Sequence, residues 1–394
     1  MGSRKVSGLT PIAMAALCLC NFAYMADLVI IPIGDAIFSA YPDAPTWLLN
    51  FILSGPQLIM VVSMLLGTVL MKRFSKRSII LAGFAVFTVS SCLGAAADSA
   101  PYIAVMRAVT GFSGGMCTPV ALSLINETYC DDPEKGGAMV GYFNSTNALF
   151  GLLMSVSAGL LGAAHWQNAF RVYLAAIPML ILLFIFLPKS GAPVKAESAV
   201  SGSSQEKIPW KQFAPILLAV LAGAVLVNAC NYLSSVYIAE KALGDSSYSG
   251  IFTAVITLST TVISALFGTL YKHLRRYSGA AMFVLTAVCY LVLYTAAGKA
   301  AALLGAVLNG MAYGFLASYY AAVITEFVPA SQMGTATPLV LAGLGIGSFL
   351  STYFVYAMMS LLGKSEVSAV FPLFVVLCLI GAAVSALTVR KARN

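Results

Sequence analysis

Gly67-Thr-Val-Leu-Met-Lys-Arg-Phe-Ser-Lys-Arg-Ser78 sets four basic residues between two long apolar segments. Half a chain length later, Gly268-Thr-Leu-Tyr-Lys-His-Leu-Arg-Arg-Tyr-Ser278 returns the pattern. Both stretches open on Gly-Thr, both follow the second apolar segment of their half, and both precede the third. A basic loop repeated at this interval marks a chain built from two copies of one membrane-embedded unit, and its charge sets the side of the bilayer on which it lies.

Composition agrees with a membrane setting. The chain has 394 residues, of which 60% are hydrophobic and 9% charged, with a mean hydropathy of +0.91. Soluble domains carry roughly 25% charged residues. The apolar runs are continuous rather than alternating, which favours spanning helices over a β-barrel. The net charge of +8 is spread over short loops without interleaved stacking aromatics, so no nucleic-acid partner is expected. The eight cysteines show no Cys-x-x-Cys spacing and no paired histidines, so neither a metal site nor a disulfide scaffold is expected. No cofactor motif, phosphate loop or hydrolytic triad is present, and no enzyme activity is expected. The polar start runs directly into a first helix too long for a cleavable signal.

Twelve apolar segments follow one another: 9–38, 47–71, 78–98, 101–128, 137–162, 168–188, 213–239, 247–271, 278–297, 300–327, 332–361 and 367–389. The expected organisation is an N-terminal six-helix bundle over 1–188, a Ser/Gly-rich linker over 189–210 and a C-terminal six-helix bundle over 211–394. Most of the 22 lysines and arginines, including Lys72, Arg73, Lys135, Lys189 and Lys272, gather on one side when the segments alternate. That side also takes both termini and the linker, so it is expected to be cytoplasmic. Trp47, Trp166 and Trp210 fall at helix ends, where an amphipathic ring prefers to lie.

Weaker echoes support the repeat. Ala104-Val-Met-Arg107 is matched by Ala306-Val-Leu-Asn309, and Cys20-Asn21-Phe22 by Cys230-Asn231-Tyr232. The fourth and tenth segments both end in a glutamate, Glu127 and Glu326, with Pro133 and Pro329 beyond.

These features resemble the major facilitator superfamily over essentially the whole chain. The family's loop signature Gly-x-x-x-Asp-Arg-x-Gly-Arg-Arg is similar to the run Thr68–Arg77, with Lys72 at the acidic position and Ser75 at the second glycine. Its Arg-x-x-x-Gly-x-x-Gly signature is present as Arg107, Gly111 and Gly114, and Trp166-Gln-Asn-Ala-Phe170 resembles its Trp-Arg-x-x-Phe. Asp27 with Pro32 resembles the drug:proton antiporter branch, although the Gly-Pro pair of that branch is absent from the region Asn147–Met154. The resemblance implies an all-α membrane protein with two pseudo-symmetric six-helix bundles and alternating access. It also implies a multi-pass protein of the plasma membrane, working as a monomer on protons and a small organic substrate.

Asp27 is the one carboxylate deep in a segment. Such a group is functional by default, because an unpartnered charge at that depth costs several kcal/mol. Desolvation raises a carboxylate's proton affinity and a neighbouring cation lowers it, so a group held between the two can bind and release a proton. Arg107, the only basic residue well inside a segment, lies at a comparable level and is expected to be the fixed charge that tunes Asp27. A static ion pair and an anchor to neighbouring carbonyls are the competing readings. Asp35 is expected to be a solvated end residue.

Asn21, Tyr24 and Asp27 fall on one stripe of a continuous helix. With Gln57, Asn144, Asn147, Asn228, Asn231, Tyr232, Asn309, Tyr313 and Tyr320 they describe an amphipathic cavity suited to an organic molecule with aromatic surface. Asn309 is expected to replace Arg107 in the second half. Glu127 with Lys76 or Arg77, and Glu326 with Arg275 or Arg276, are expected to be cytoplasmic latches. The function expected is proton-coupled export by antiport. Uptake or exchange of an organic anion on Arg107, and a lipid-translocating or sensor role, are the alternatives.

Overall fold

The computed structural model describes residues 10–129, 132–187, 210–274, 277–328 and 333–391. The first half contains α1, broken into Pro11–Tyr24 and Asp27–Ala40, then α2 (Thr46–Leu70) and α3 (Lys76–Cys92). It continues with α4 (Ala100–Thr128), α5 (Pro133–Gly162) and α6 (Trp166–Phe186). The second half contains α7 (Trp210–Tyr232, continued as Ser234–Glu240), α8 (Ser246–Leu274) and α9 (Ser278–Thr295). It closes with α10 (Lys299–Phe327), α11 (Met333–Leu362) and α12, which begins as a tight turn at Val367–Val370 and runs on as Phe371–Lys391. Ten of these helices are long and apolar enough to cross a bilayer, and the broken α1 makes eleven. The other, α3, has 17 residues and at 1.5 Å per residue reaches about 26 Å, just short of the hydrocarbon thickness of about 30 Å. The linker expected over 189–210 lies outside the described residues apart from Trp210.

Local chemistry explains the ends. Ser75 caps α3 by accepting from the Ser78 N–H at 3.2 Å, so the polar end of the quoted stretch starts a helix. Asp132 caps α5 in the same way, through the Lys135 N–H at 3.1 Å, and Pro133 occupies the first turn, where no backbone donor is needed. This pair starts α5 four residues before the apolar run does.

The helix order is repeated in the packing. The pairs α2–α4, α3–α4 and α3–α6 of the first half recur as α8–α10, α9–α10 and α9–α12 in the second. The halves meet along two seams, α5–α8 and α2–α11, which are themselves related by the repeat.

Glycines set the register of that repeat. A Cβ on Gly111 would sit 2.6 Å from Pro56 O, and one on Gly115 2.7 Å from Met60 O, so α4 lies directly on the α2 backbone. Gly310 and Gly314 of α10 meet Ile256 O and Thr260 O of α8 in the same way. Gly111 therefore corresponds to Gly310, and Pro56 to Ile256. This corrects the equivalence expected from the Ala-Val-Met-Arg echo: the partner of Arg107 is Ala306, one turn from Asn309.

Helix α1 is not the continuous rod expected from its apolar run. It bends by 49°, with Met25 at φ −88°, ψ 12°, and Pro32 lies in a further tight turn, Ile31–Ile33. Helix α7 breaks at the related place, Leu233, with φ −101°, ψ 15°.

Candidate functional site

The site begins with a proline. Pro56 lies inside α2 and has no N–H, so the carbonyl of Ile52, four residues back, loses its helical partner. In a bilayer core such a carbonyl needs another donor. Arg107 supplies it from α4, donating from Nε to Ile52 O at 3.0 Å. Gly111, one turn further along α4, makes room for the approach by packing on Pro56 itself.

The other end of the guanidinium meets Asp27. Arg107 Nη2 donates to Asp27 Oδ1 at 2.5 Å. Asp27 Oδ2 accepts from Gln57 Nε2 at 2.6 Å and from Tyr232 OH at 3.0 Å. Asp27 is 6% exposed and Arg107 2%. An isolated buried charge would be strongly destabilising, but here each ion has an oppositely charged partner and additional hydrogen bonds. Behind the pair, Tyr173 of α6 donates to Ala26 O at 2.7 Å, tying down the bend in α1 just before Asp27. Arg107 Nη1 is buried without a partner.

The break in α1 splits the expected polar stripe. Asn21 is fully buried and its amide donates to Phe143 O and Thr146 Oγ1 of α5, both at 2.6 Å. Tyr24 shares the first segment of α1 with Asn21, whereas Asp27 opens the second segment, beyond the bend. Three more of the expected cavity residues are sealed between helices. Asn228 donates to Ala224 O in its own helix at 2.9 Å, Asn309 donates to Val227 O at 3.1 Å, and Tyr320 is 1% exposed with its hydroxyl unpartnered. In this arrangement each is enclosed by neighbouring helices. Tyr24, Gln57, Asn147, Asn231 and Tyr313 are half-buried and Asn144 is exposed. The amide oxygens of Asn147 and Asn231 have no partner in the protein.

An apolar groove of about 710 Å³ between α1 and α5 is lined by Met14, Cys18, Met139, Tyr142 and Leu149. Leu149 stands two residues, about 200° of helix, from Asn147. None of Asp27, Arg107, Gln57 and Tyr232 lines this groove.

At the end bearing the Lys72–Arg77 loop, Lys76 pairs with Glu127 and donates to Ser123 Oγ at 2.7 Å. Arg77 turns to α6, donating to Phe184 O at 2.6 Å. The expected pairing of Glu127 with Lys76 is thus formed, and because both residues belong to the same half it ties α3 to α4. Arg275 and Arg276 lie outside the described residues, as does the side chain of Glu326.

The opposite end is where the halves join. Ser54 donates to Phe349 O at 3.0 Å and bonds Thr352 Oγ1 at 2.9 Å. Tyr353 donates to Trp47 O at 2.9 Å, and Ser235 accepts from the Asp35 N–H at 3.1 Å. Phe38 stacks on Tyr356 at 5.9 Å, and Gly159 meets Gly250 backbone to backbone. Asp35, expected in solvent, is half-buried in this seam.

Residues 13–352 match the Major Facilitator Superfamily. The chain belongs to that family. Its many membrane-length helices and their repeated packing agree with that membership. The structure superposes on the nucleoside transporter NupG with a TM-score of 0.74 at 14% identity, covering 96% of this chain and 99% of that one. It superposes on an auto-inhibited POT family peptide transporter with a TM-score of 0.76 at 12% identity, covering 99% and 97%. These likenesses establish the superfamily fold. Among sequences, the chain is 33% identical to the multidrug efflux pump LfrA of Mycolicibacterium smegmatis over 117 residues, 30% of this chain and 23% of that protein. It is 23% identical to the methylenomycin A resistance protein of Bacillus subtilis over 254 residues, 60% of this chain and 54% of that protein. The matches thus span between about a quarter and about half of those relatives.

Proposed function

We propose that this transporter exports a small organic molecule by exchange for protons across the plasma membrane, with both termini cytoplasmic. The observation that carries the reading is Asp27, a buried carboxylate held by Arg107, Gln57 and Tyr232. Arg107 keeps its charge under all conditions, so Asp27 is the member of the pair that gains and loses a proton. Water reaching the pair from one side and then the other would let that proton cross. The similarity to proteins named for efflux and resistance supports the direction. Arg107 is fully committed to Asp27 and Ile52 apart from one nitrogen and is 2% exposed. This favours a tuning role over capture of an anionic substrate.

The test is transport in proteoliposomes containing an internal pH dye, with lipophilic cations, neutral compounds and anions as candidate substrates. Asp27→Asn should abolish uphill movement driven by a pH gradient while leaving a monodisperse protein. Uphill transport that survives the substitution would remove Asp27 from the mechanism.

A further inference from the structure

Asp27 is bound from both halves of the molecule. Arg107 and Gln57 reach it from α4 and α2 of its own half, whereas Tyr232 reaches it from α7 of the other. Tyr232 is the last residue before the break in α7, and Asp27 is the first residue of the second segment of α1. The two interrupted helices therefore meet at their interruptions. Tyr232 is 3% exposed, so the bond lies in the buried interior of the molecule. Tyr24 of α1, Tyr173 of α6 and Tyr313 of α10 also lie within electrostatic reach of Asp27.

We propose that Tyr232 is a latch that prevents the empty, deprotonated carrier from changing sides, an assignment that rests on the proton role of Asp27. A hydrogen bond to an ionised carboxylate is roughly twice as strong as one to a neutral acceptor. With Asp27 ionised, Tyr232 holds the two halves in the arrangement seen here, joined at the end remote from the basic loop. Once the far side has opened, a proton taken up there by Asp27 neutralises the acceptor, so the bond no longer holds the carrier and the protonated form is free to rock. Release of that proton to water at the basic end restores the bond and locks the halves. Cargo then reopens the far side by drawing Asp27 or Tyr232 into its own contacts. Exchange needs such a lock, because an empty carrier that returned freely would carry protons down their gradient with nothing in return.

The experiment measures proton leak without substrate, in proteoliposomes under an imposed pH gradient. Tyr232→Phe keeps the ring and removes only the hydroxyl. It should raise the leak about tenfold, the factor expected from losing one charge-assisted hydrogen bond. The double variant Asp27→Asn/Tyr232→Phe should abolish the extra leak, because no proton can then be carried. A Tyr232→Phe leak equal to that of the unmodified protein would overturn the latch, and so would a raised leak that persists in the double variant. An equal leak in Gln57→Leu would also overturn it, since Gln57 touches the same oxygen without joining the halves. Folding of each variant is checked by its elution and melting in detergent. Failure of the underlying reading has its own signature: Asp27→Asn alone would retain transport driven by a pH gradient.

Discussion

In the first half, Pro56 interrupts the α2 ladder, Ile52 O is left open, and Arg107 fills it while holding Asp27. In the second half the same packing recurs, with Gly310 and Gly314 lying on α8 as Gly111 and Gly115 lie on α2. Ile256 stands in place of the proline, however, and buried Ala306 in place of the arginine. Ile256 has the N–H that Pro56 lacks, so Phe252 O, unlike Ile52 O, keeps its helical partner and calls for no guanidinium. One scaffold has thus been given a charged centre in one copy and a neutral, tightly packed one in the other. The structural difference between the halves follows whether one residue in the second helix of each carries an amide hydrogen.

The comparison can be broken most severely at Arg107. Arg107→Ala leaves Asp27 a buried, unpaired charge and should lower stability by about 3–5 kcal/mol, read as a large drop in the melting temperature of purified protein. Coupling should be lost with it. Exchanging the helix-breaking residue comes next. Ile256→Pro opens Phe252 O with no cation nearby and should cost about 3 kcal/mol in melting experiments. Pro56→Ala restores the missing donor, so it should leave the melting temperature within the equivalent of about 1 kcal/mol while slowing coupled transport about fivefold, as Arg107 loses its second acceptor. An equal penalty for the two would mean that the halves do not differ in the way described.

The seam between the halves gives a third test. Gly159→Val inserts a side chain where Gly250 approaches and should disfavour the joined state by about 1–3 kcal/mol. A cysteine introduced at Thr352, which is fully buried, should then react faster with a membrane-impermeant thiol reagent. The smallest effect is expected at Asn309. Its single bond to Val227 O is an interhelical contact of the ordinary kind, so Asn309→Ala should cost only about 0.6–1 kcal/mol and leave the pH dependence of transport unchanged.

Much of this arrangement was legible in the residues. Apolar length and basic loops place the helices within a few residues of their observed bounds, because the bilayer imposes both signals on the chain directly. Asp27 and Arg107 stood out for the same reason, as charges at a depth where none is tolerated without a role. The register of the repeat was not legible. A four-residue echo pointed to Asn309, whereas the packing is decided by which glycines let backbones touch, and glycine in an apolar helix looks alike whether or not it is at a crossing. The break in α1 was hidden because Met25 and Ala26 are ordinary helix residues and the bend is held from outside, in part by Tyr173 of α6. Exposure was equally opaque. Asn21 and Asn309 read as cavity residues alongside Asn147 and Asn231, and only the neighbouring helices decide which amides are sealed. Tyr173 itself carried no signal beyond its position three residues after Phe170.

The seam at the far side contains hydroxyl-to-carbonyl bonds, a hydroxyl pair and an aromatic stack, formed by Ser54, Thr352, Tyr353, Phe38 and Tyr356. None of these contacts uses an ionised partner, in contrast to Lys76 and Glu127 at the basic end. Dissolved salt weakens exposed ion pairs and leaves neutral contacts nearly untouched. Unsealing at that mouth should therefore proceed at much the same pace in dilute and in saline surroundings, so a carrier working as proposed would tolerate a changing medium on the side where its neutral seam lies.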